Sequence, residues 1–179
     1  GCSRQGQQGS SIQIKGSDTM VNLGQAWAEE FMKANPEVSV AVTGGGSGTG
    51  IASLLSKTCD IAELSRELKP EEIAMAKEKG FAPQQITVAL DGLAVVVHPA
   101  NPLAQLTMDQ LAAVFSGAVT NWKEIGGADL PIVVLSREVN SGTHVYFKEH
   151  VLRRGQKESQ AEFAANALML PSSQAIADE

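Results

Sequence analysis

The chain has 179 residues, of which 43% are hydrophobic and 4% aromatic, so it can bury the core of one domain or of two small ones. Its 14 basic and 20 acidic residues give a net charge of −6, which argues against nucleic acid as a partner because that ligand requires a basic surface. No stretch approaches the roughly 20 consecutive apolar residues that span a bilayer.

The chain begins with a polar run rich in glycine and serine, and we assign residues 1–11 to a flexible tether. Cys2 within this run is similar to the modified cysteine of a mature bacterial lipoprotein. We therefore predict lipidation of Cys2 and attachment to a membrane through that lipid, with an ordinary thiol in a tail as the alternative. Cys59 has no CxxC or metal spacing and is predicted to be a small core residue.

Strands and helices are predicted to alternate in the first half of the chain. The alternation in "IQIKGS", residues 12–17, indicates a strand, and the same order of strand, turn and helix returns in "VSVAVTGGGSGTGIASLLS". The apolar face predicted for the first helix comprises Met20, Leu23, Trp27 and Phe31. A further helix is predicted to begin at Lys69-Pro70-Glu71-Glu72, because proline and acids favour a first turn, and to end before Gly80.

The second half continues with two predicted strands, "QITVAL" at 85–90 and "GLAVVVHP" at 92–99. The second is a continuous apolar run, typical of a strand buried on both faces of a sheet. Thr107 and Gln110 form a capping box that opens a helix. That helix is predicted to bury Leu111, Val114 and Phe115, and the strand "PIVVLS", a helix from Ser141 to about Arg153 and a helix from Ser172 or Ser173 follow it.

This alternation predicts the α/β class with a mainly parallel sheet, in two lobes that divide near residues 89–93. The last predicted helix stops after about two turns without a cap. We therefore expect the chain to be part of a longer protein.

Three turns combine hydroxyls with glycine, and each follows a predicted strand and opens a predicted helix: 16–19, 44–50 and 137–143. In an open α/β sheet such turns gather where ligands bind, and helix N-termini point N–H donors there. Glycine lets the backbone approach a ligand closely. Arg137 adds a guanidinium suited to a tetrahedral oxyanion. The sequence thus predicts an anion site, although the hydroxyls of 16–19 and of 141–143, each turn taken singly, are first expected to be N-caps. The glycines of 44–50 are harder to explain in that way, because they cost conformational entropy without adding packing.

Motifs for other chemistries fail. Gly45 and Gly50 have the spacing of an NTPase phosphate loop, but Ile51-Ala52 stand where lysine and a hydroxyl residue are required. The dinucleotide fingerprint and the hydrolase elbow are also incomplete. The histidines lack metal spacing, and we interpret them as surface or structural residues: His98, His144 and His150. We predict no metal, no cofactor and no catalytic residue, so the protein is not expected to be an enzyme.

From Ile12 onward the motifs "GSDTM", "GGGSGTGIASL", "DIAELSRELKPEE", "DGLAVVVHPANP", "LAAVFSGAVTNWKEIGG" and "SREVNSGTH" occur in the order found in one family. The sequence resembles the periplasmic phosphate-binding proteins of the bacterial phosphate ABC importer, commonly called PstS. The resemblance implies the type II periplasmic-binding-protein fold, a two-lobed α/β clamp of mixed, mainly parallel sheets flanked by helices. Lobe I would comprise residues 12–90 without a returning C-terminal segment, and lobe II would comprise 91–179, incomplete.

The resemblance also implies a set of phosphate contacts: Thr19, the Met20 backbone, Ser47, Arg137, Ser141, Gly142 and Thr143. We add Ser17 as a hydroxyl of the first turn. In the family the segment matching Leu64-Ser65-Arg66 supplies a further contact, in some members a carboxylate that accepts a proton from phosphate. Ser65 takes that place here, and Leu64 replaces an expected serine.

A buried carboxylate accepts a hydrogen bond from protonated phosphate and repels sulfate, which has no proton to donate. We predict that Asp18 is this acceptor, and the alternative is that Asp18 only favours the helix N-terminus.

The resemblance implies that a monomer captures phosphate by hinge closure outside the cytoplasmic membrane, in the periplasm or at the extracellular face, and delivers it to an ABC permease. Three alternatives stay open at this point: a receptor for sulfate or molybdate, a phosphate sensor, and a phosphatase-like enzyme that uses the same anion site.

Overall fold

The computed structural model describes residues 10–179, which form two compact units, the first ending at Gln85 and the second comprising Ile86–Glu179. The predicted lipidation site Cys2 lies outside the described residues. None of the helices within 10–179 combines the length and the apolarity needed to cross a membrane.

The first unit contains a three-stranded parallel sheet in the order β2-β1-β3. Its elements are β1 (Ser10–Gly16), α1 (Asp18–Ala34), β2 (Val38–Thr43), α2 (Ser47–Leu55), β3 (Ile61–Glu63) and α3 (Pro70–Glu78). Because the strands are parallel, the residues that follow β1, β2 and β3 lie at the same edge of the sheet. Two of the predicted polar turns, 16–19 and 44–50, are thereby brought to that edge.

Helix α1 packs on the sheet through its smallest side chains and not through the apolar face that the sequence indicates. Gly24 and Ala28 are the buried residues of α1, whereas Trp27 and Phe31 are each 45% exposed. Leu23 is also exposed and Met20 is half-buried. A Cβ atom at Gly24 would lie 2.0 Å from Oε1 of Glu63, so only a glycine lets the helix approach the end of β3 this closely. The close approach of Gly24 and Ala28 to the sheet therefore determines which face of α1 is buried, and the spacing of the apolar residues does not.

Helix α2 also makes a close contact with the sheet. A Cβ atom at Gly50 would lie 2.5 Å from the carbonyl oxygen of Lys15 and 2.7 Å from Cα of Gly16. Ile51 and Cys59 are buried beside this contact, which confirms Cys59 as a small core residue. Part of the glycine content of 44–50 therefore serves the packing of α2 on β1.

Helix α3 begins as predicted, with Pro70 in its first turn. The carboxylate of Glu72 accepts the backbone N–H of Lys69 at 2.8 Å and pairs with both terminal nitrogens of Arg66. The arginine and the glutamate side chains are 9% and 15% exposed, so the pair is nearly buried. It attaches the segment after β3 to the start of α3, and Gly80 with φ +82° follows the end of the helix.

The second unit contains two paired strands and a helical core. Its elements are α4 (Met108–Ser116), a 3-10 turn (Trp122–Ile125), β4 (Leu135–Arg137), α5 (Gly142–Phe147), a π turn (Lys148–Leu152), β5 (Leu168–Leu170) and α6 (Ser173–Asp178). Thr107 and Gln110 form the predicted capping box of α4. Phe147, Val151, Leu152 and Phe163 form the core, with the predicted face residues Leu111 and Phe115 packed against it. Val114, the third, is 3% exposed.

Strands β4 and β5 are parallel, with Arg137 opposite Leu170, and the strand pairs of the first unit are parallel as well. The prediction of an α/β fold with mainly parallel pairing is confirmed. Strands of only three residues, such as β3 and β5, are too short to show an alternating pattern, so the sequence does not predict them. The predicted strand "PIVVLS" is shortened to the β4 segment.

The predicted strands at 85–90 and 92–99 are wrong for this structure, in which neither segment forms a strand. Leu90 is 95% exposed and Val96 is 65% exposed. A strand requires hydrogen bonds to a neighbouring strand. None of the strands in 10–179 pairs with either segment, so the apolar run has no strand partner in the described part of the chain.

Candidate functional site

The first two polar turns are cross-linked by a carboxylate. Oδ1 of Asp18 accepts the backbone N–H of Gly45 at 2.9 Å. A Cβ atom at Gly44 would lie 2.4 Å from the same oxygen, so glycine at that position is what lets the carboxylate approach. Gly45 and Gly46 have φ of +119° and +88°, values that favour glycine. The glycines of the loop after β2 therefore make room for the Asp18 carboxylate as well as for a ligand.

Ser47 links the second turn to the segment after β3. Its side chain is fully buried, and its Oγ accepts the backbone N–H of Ser65 at 3.1 Å. The two hydroxyl oxygens lie 3.2 Å apart, and either one can donate to the other. One hydroxyl proton is used by this contact, which leaves the other for a further acceptor. Ser65, which takes the place of a further phosphate contact of the family, is therefore held beside Ser47.

Two serines occupy N-cap positions without capping. Ser17 precedes α1 and Ser141 precedes α5, each is 2% exposed, and neither hydroxyl accepts a hydrogen bond from its helix. By contrast, Thr107, Asn121 and Ser172 accept helix N–H groups at 3.1, 3.0 and 3.0 Å. The N-cap interpretation accounts for the second group of residues and not for Ser17 and Ser141.

Two backbone hydrogen bonds fix the position of Ser17. Its N–H donates to the carbonyl oxygen of Glu63 at 2.8 Å, and its own carbonyl accepts the N–H of Met20 at 3.0 Å. The N–H of Met20, a predicted phosphate donor, is therefore engaged within the first turn of α1. Thr19 is exposed beside it.

The third polar turn belongs to the second unit, where Arg137 ends β4 and is 3% exposed. Its Nη1 donates to Oγ of Ser173 at 3.1 Å and its Nη2 donates to the carbonyl oxygen of Pro171 at 2.9 Å. The pairing of β4 with β5 brings this segment beside the guanidinium. Ser141 and Gly142 are buried at the start of α5, and Thr143 is half-buried.

His144 contacts the backbone of Arg137. It is 3% exposed, its Nδ1 lies 2.8 Å from the carbonyl oxygen of Arg137, and its ring centroid lies 4.5 Å from that of Phe163. Burial lowers the pKa of His144, against a smaller raising effect of the hydrogen bond to Arg137. A neutral ring donates Nδ1–H to that carbonyl. His144 is therefore a structural histidine, as predicted, and it fixes the backbone of Arg137.

Sequence reasoning missed Pro171 and Ser173 as neighbours of Arg137. The signal that could have found them is the hydroxyl pair Ser172-Ser173 directly after a short apolar run. Within 10–179 no three side chains of the metal-ligating types come together as a metal site.

Comparison with known proteins places these features in a family context. Residues 3–178 match the PBP superfamily domain. The phosphate-binding protein PstS of Pseudomonas aeruginosa is 36% identical over 153 residues, which cover 78% of this chain and 47% of that protein. The PstS of Bacillus subtilis is 34% identical over 142 residues, which cover 79% of this chain and 46% of that protein. The chain therefore spans about half the length of these relatives.

Solved structures show the same relationship. A structure from Clostridium perfringens, assigned to the substrate-binding protein of a phosphate ABC transporter and containing bound phosphate, matches 94% of this chain and 65% of its own, with a TM-score of 0.81 at 36% identity. An ABC-type phosphate transport receptor from Vibrio cholerae matches 92% of this chain and 64% of its own, with a TM-score of 0.71 at 36% identity. The resemblance indicated by the sequence motifs is confirmed.

Proposed function

This chain belongs to the PBP superfamily, and on that premise we propose that it binds inorganic phosphate outside the cytoplasmic membrane and delivers it to an ABC-type phosphate importer. The comparisons with PstS proteins support phosphate as the ligand. The whole protein acts as a binding protein and not as an enzyme, because the similar proteins of known name are binding proteins and receptors.

The observation that carries the proposal is that each unit presents buried hydroxyls that do not cap a helix, and that the second unit adds a buried arginine. Arg137 and Ser141 stand at the carboxyl end of β4 in the second unit, and Ser17 and Ser47 stand at the same edge of the sheet in the first. A guanidinium and neutral hydroxyl donors are the groups that suit an anion that must be bound and then released. The prediction that the three turns hold one anion stays a prediction.

Only a few hydrogen bonds to the anion are needed for micromolar affinity. A hydrogen bond to a charged group contributes about 1.5–3 kcal/mol, and micromolar binding corresponds to about −8 kcal/mol. Four or five such bonds are enough even after the ordering of the loops is subtracted. The net negative charge of the chain is therefore no obstacle to binding an anion at a local site.

A second candidate ligand is another tetrahedral oxyanion such as sulfate or molybdate. It is favoured by Ser65, which stands where some members of the resembled family place a carboxylate. If Asp18 does not accept the proton of phosphate, the discrimination against sulfate that we predict for it is lost.

Lipid attachment through Cys2, a monomeric state and a role in an importer rather than in a phosphate sensor complete the proposal. Mass spectrometry of the native protein tests the lipid, since a diacylglyceryl group adds a defined mass to the N-terminal peptide.

Calorimetric titration tests the ligand. The protein is freed of bound anion by partial unfolding and dialysis, refolded, and titrated with phosphate and then with sulfate. We expect one phosphate per chain with a Kd near or below micromolar and no heat from sulfate. Equal binding of sulfate supports the second candidate, and turnover of a phosphate ester would support an enzyme and overturn the proposal.

A further inference from the structure

The last residue of β3, Glu63, connects the sheet to the first polar turn. It lies opposite Gly16 in the β1–β3 register, and its carbonyl oxygen accepts the N–H of Ser17 at 2.8 Å. A Cβ atom at Gly16 would overlap that carbonyl group, at 2.0 Å from its oxygen. The position of Ser17 therefore depends directly on the position of Glu63.

The side chain of Glu63 is buried without a full set of partners. The residue is 8% exposed, and its Oε2 is buried and makes no hydrogen bond within 10–179. The carboxyl group is pressed against Gly24 of α1, where a Cβ atom would lie 2.0 Å from Oε1 and 3.1 Å from Oε2. A buried polar atom without a partner is rare in folded proteins and calls for an explanation.

Within 10–179, the structure pairs no cation with this carboxyl group. The charged residues on the elements packed around it are Lys15 on β1 and Asp18, Glu29, Glu30 and Lys33 on α1, and α2 carries none. Arg66, just beyond β3, is paired with Glu72. Burial alone raises the pKa of the Glu63 carboxyl, and none of these charges contributes.

A neutral carboxylic acid fits this position, whereas a carboxylate would have to be hydrated or paired. Gly24 of α1 lies close against the carboxyl group, so hydration of an ionised Glu63 on that side would push α1 away from the end of β3. α1 starts at Asp18, next to Ser17, so such a movement displaces the first polar turn.

We propose that Glu63 is a positioning residue of the anion site: its protonated form seats α1 on β3 and holds the Ser17 turn in its binding geometry, and its ionisation loosens that turn and weakens anion binding. The inference rests on the anion-binding function proposed above. Glu63 touches no anion itself and acts through Ser17 and α1.

The test compares the wild-type chain with Glu63→Gln, which keeps the shape of the side chain and cannot ionise. Glu37→Gln, at an exposed position, is the control for the same chemical change. Phosphate Kd is measured by calorimetry between pH 5 and pH 8.5 for all three proteins. In parallel, hydrogen exchange of the Ser17 amide is measured without phosphate over the same range.

We expect the ratio of the wild-type Kd to the Glu63→Gln Kd to be close to one at acidic pH and to rise with pH. The rise is about tenfold if the pKa of Glu63 differs by one unit between the free and the bound protein. Exchange of the Ser17 amide should accelerate with pH more in the wild type than in Glu63→Gln. Glu37→Gln should follow the wild type in both measurements.

Ratios that stay constant from pH 5 to pH 8.5, for both Kd and Ser17 exchange, overturn the inference and leave the phosphate function intact. Absence of phosphate binding at every pH overturns the proposed function, and the exchange of Ser17 then still decides the role of Glu63. If Glu63→Gln does not fold, Glu63→Met gives the same comparison, because its thioether fills the space without titrating.

Discussion

Oδ1 of Asp18 accepts a hydrogen bond from the backbone N–H of Gly45 at 2.9 Å, and this bond joins the turn after β1 to the turn after β2. Both turns were predicted to bind an anion, and the bond makes them one structural unit. The carboxylate has further lone pairs beyond the one that Gly45 uses. Its role as cross-link and its proposed role as proton acceptor are therefore compatible and separable by mutation.

Asp18→Asn and Asp18→Ala separate these roles. The asparagine Oδ1 can still accept the N–H of Gly45, so the turns stay joined while the charge is lost; the alanine removes both. We expect Asp18→Asn to bind sulfate more tightly relative to phosphate, by about tenfold or more, because repulsion of the fully ionised anion is removed. We expect Asp18→Ala to weaken the binding of both anions. Calorimetric Kd values for phosphate and sulfate check this, and an unchanged preference in Asp18→Asn leaves Asp18 as a cross-link only.

Gly50→Ala tests the close packing of α2 on β1. Its Cβ atom would meet backbone atoms, the Lys15 oxygen at 2.5 Å and Gly16 Cα at 2.7 Å, which cannot swing aside as a side chain can. We expect the free energy of unfolding to fall by about 1–3 kcal/mol in urea denaturation. Gly92→Ala is the control, since a Cβ atom there meets nothing within 4 Å. Equal stabilities of the two variants would contradict the packing argument.

Ser173→Ala tests how Arg137 is held. The hydroxyl of Ser173 accepts from Nη1 of Arg137 at 3.1 Å, and its loss removes one of the contacts that orient the guanidinium, while the contact of Nη2 with Pro171 stays. We expect phosphate affinity to fall about fivefold to tenfold, corresponding to about 1 kcal/mol, with Ser173→Thr close to the wild type. Gln174→Ala, the neighbouring exposed residue, should have no effect. Equal Kd values for Ser173→Ala and Gln174→Ala count against the positioning of Arg137 by Ser173.

His144 makes folding stability depend on pH. Burial lowers its pKa in the folded chain, so below the ordinary value of about 6.5 the unfolded chain binds a proton that the folded chain does not. The contribution of neutral His144 is present above that value and is lost as the pH falls towards the lowered pKa. We expect the free energy of unfolding to decrease from pH 7.5 to pH 5 less in His144→Gln than in the wild type. His150→Gln, at an exposed position, should behave as the wild type; identical slopes for all three proteins refute the assignment.

Local signals predicted most of the element boundaries near the site. The starts of α3 and α4 follow from Pro70 and from Thr107 with Gln110, and Ser172 caps α6 near the predicted residue. These are interactions between residues three or four apart, which a sequence displays directly.

Features set by tertiary contact could not be read in the same way. The buried face of α1 follows from Gly24 against Glu63, a contact between residues far apart in sequence. The unpaired state of 85–99 follows from the absence of a neighbouring strand in the described part of the chain, and no property of the apolar run reveals that. The three polar turns were found because each combines a helix start with hydroxyls, whereas the contacts of Arg137 with Pro171 and Ser173 depend on the pairing of β4 with β5.

The central claim is that the chain binds phosphate and that Arg137 takes part. Equilibrium dialysis of radiolabelled phosphate, with the wild type and with Arg137→Lys, each in the presence and absence of excess sulfate, tests it most directly. Lysine keeps the charge and loses the planar fork of donors. We predict saturable binding of one phosphate per wild-type chain, undisturbed by sulfate, and at least about tenfold weaker binding by Arg137→Lys. Wild-type protein that retains no phosphate, or Arg137→Lys that binds as tightly as the wild type, would contradict the account.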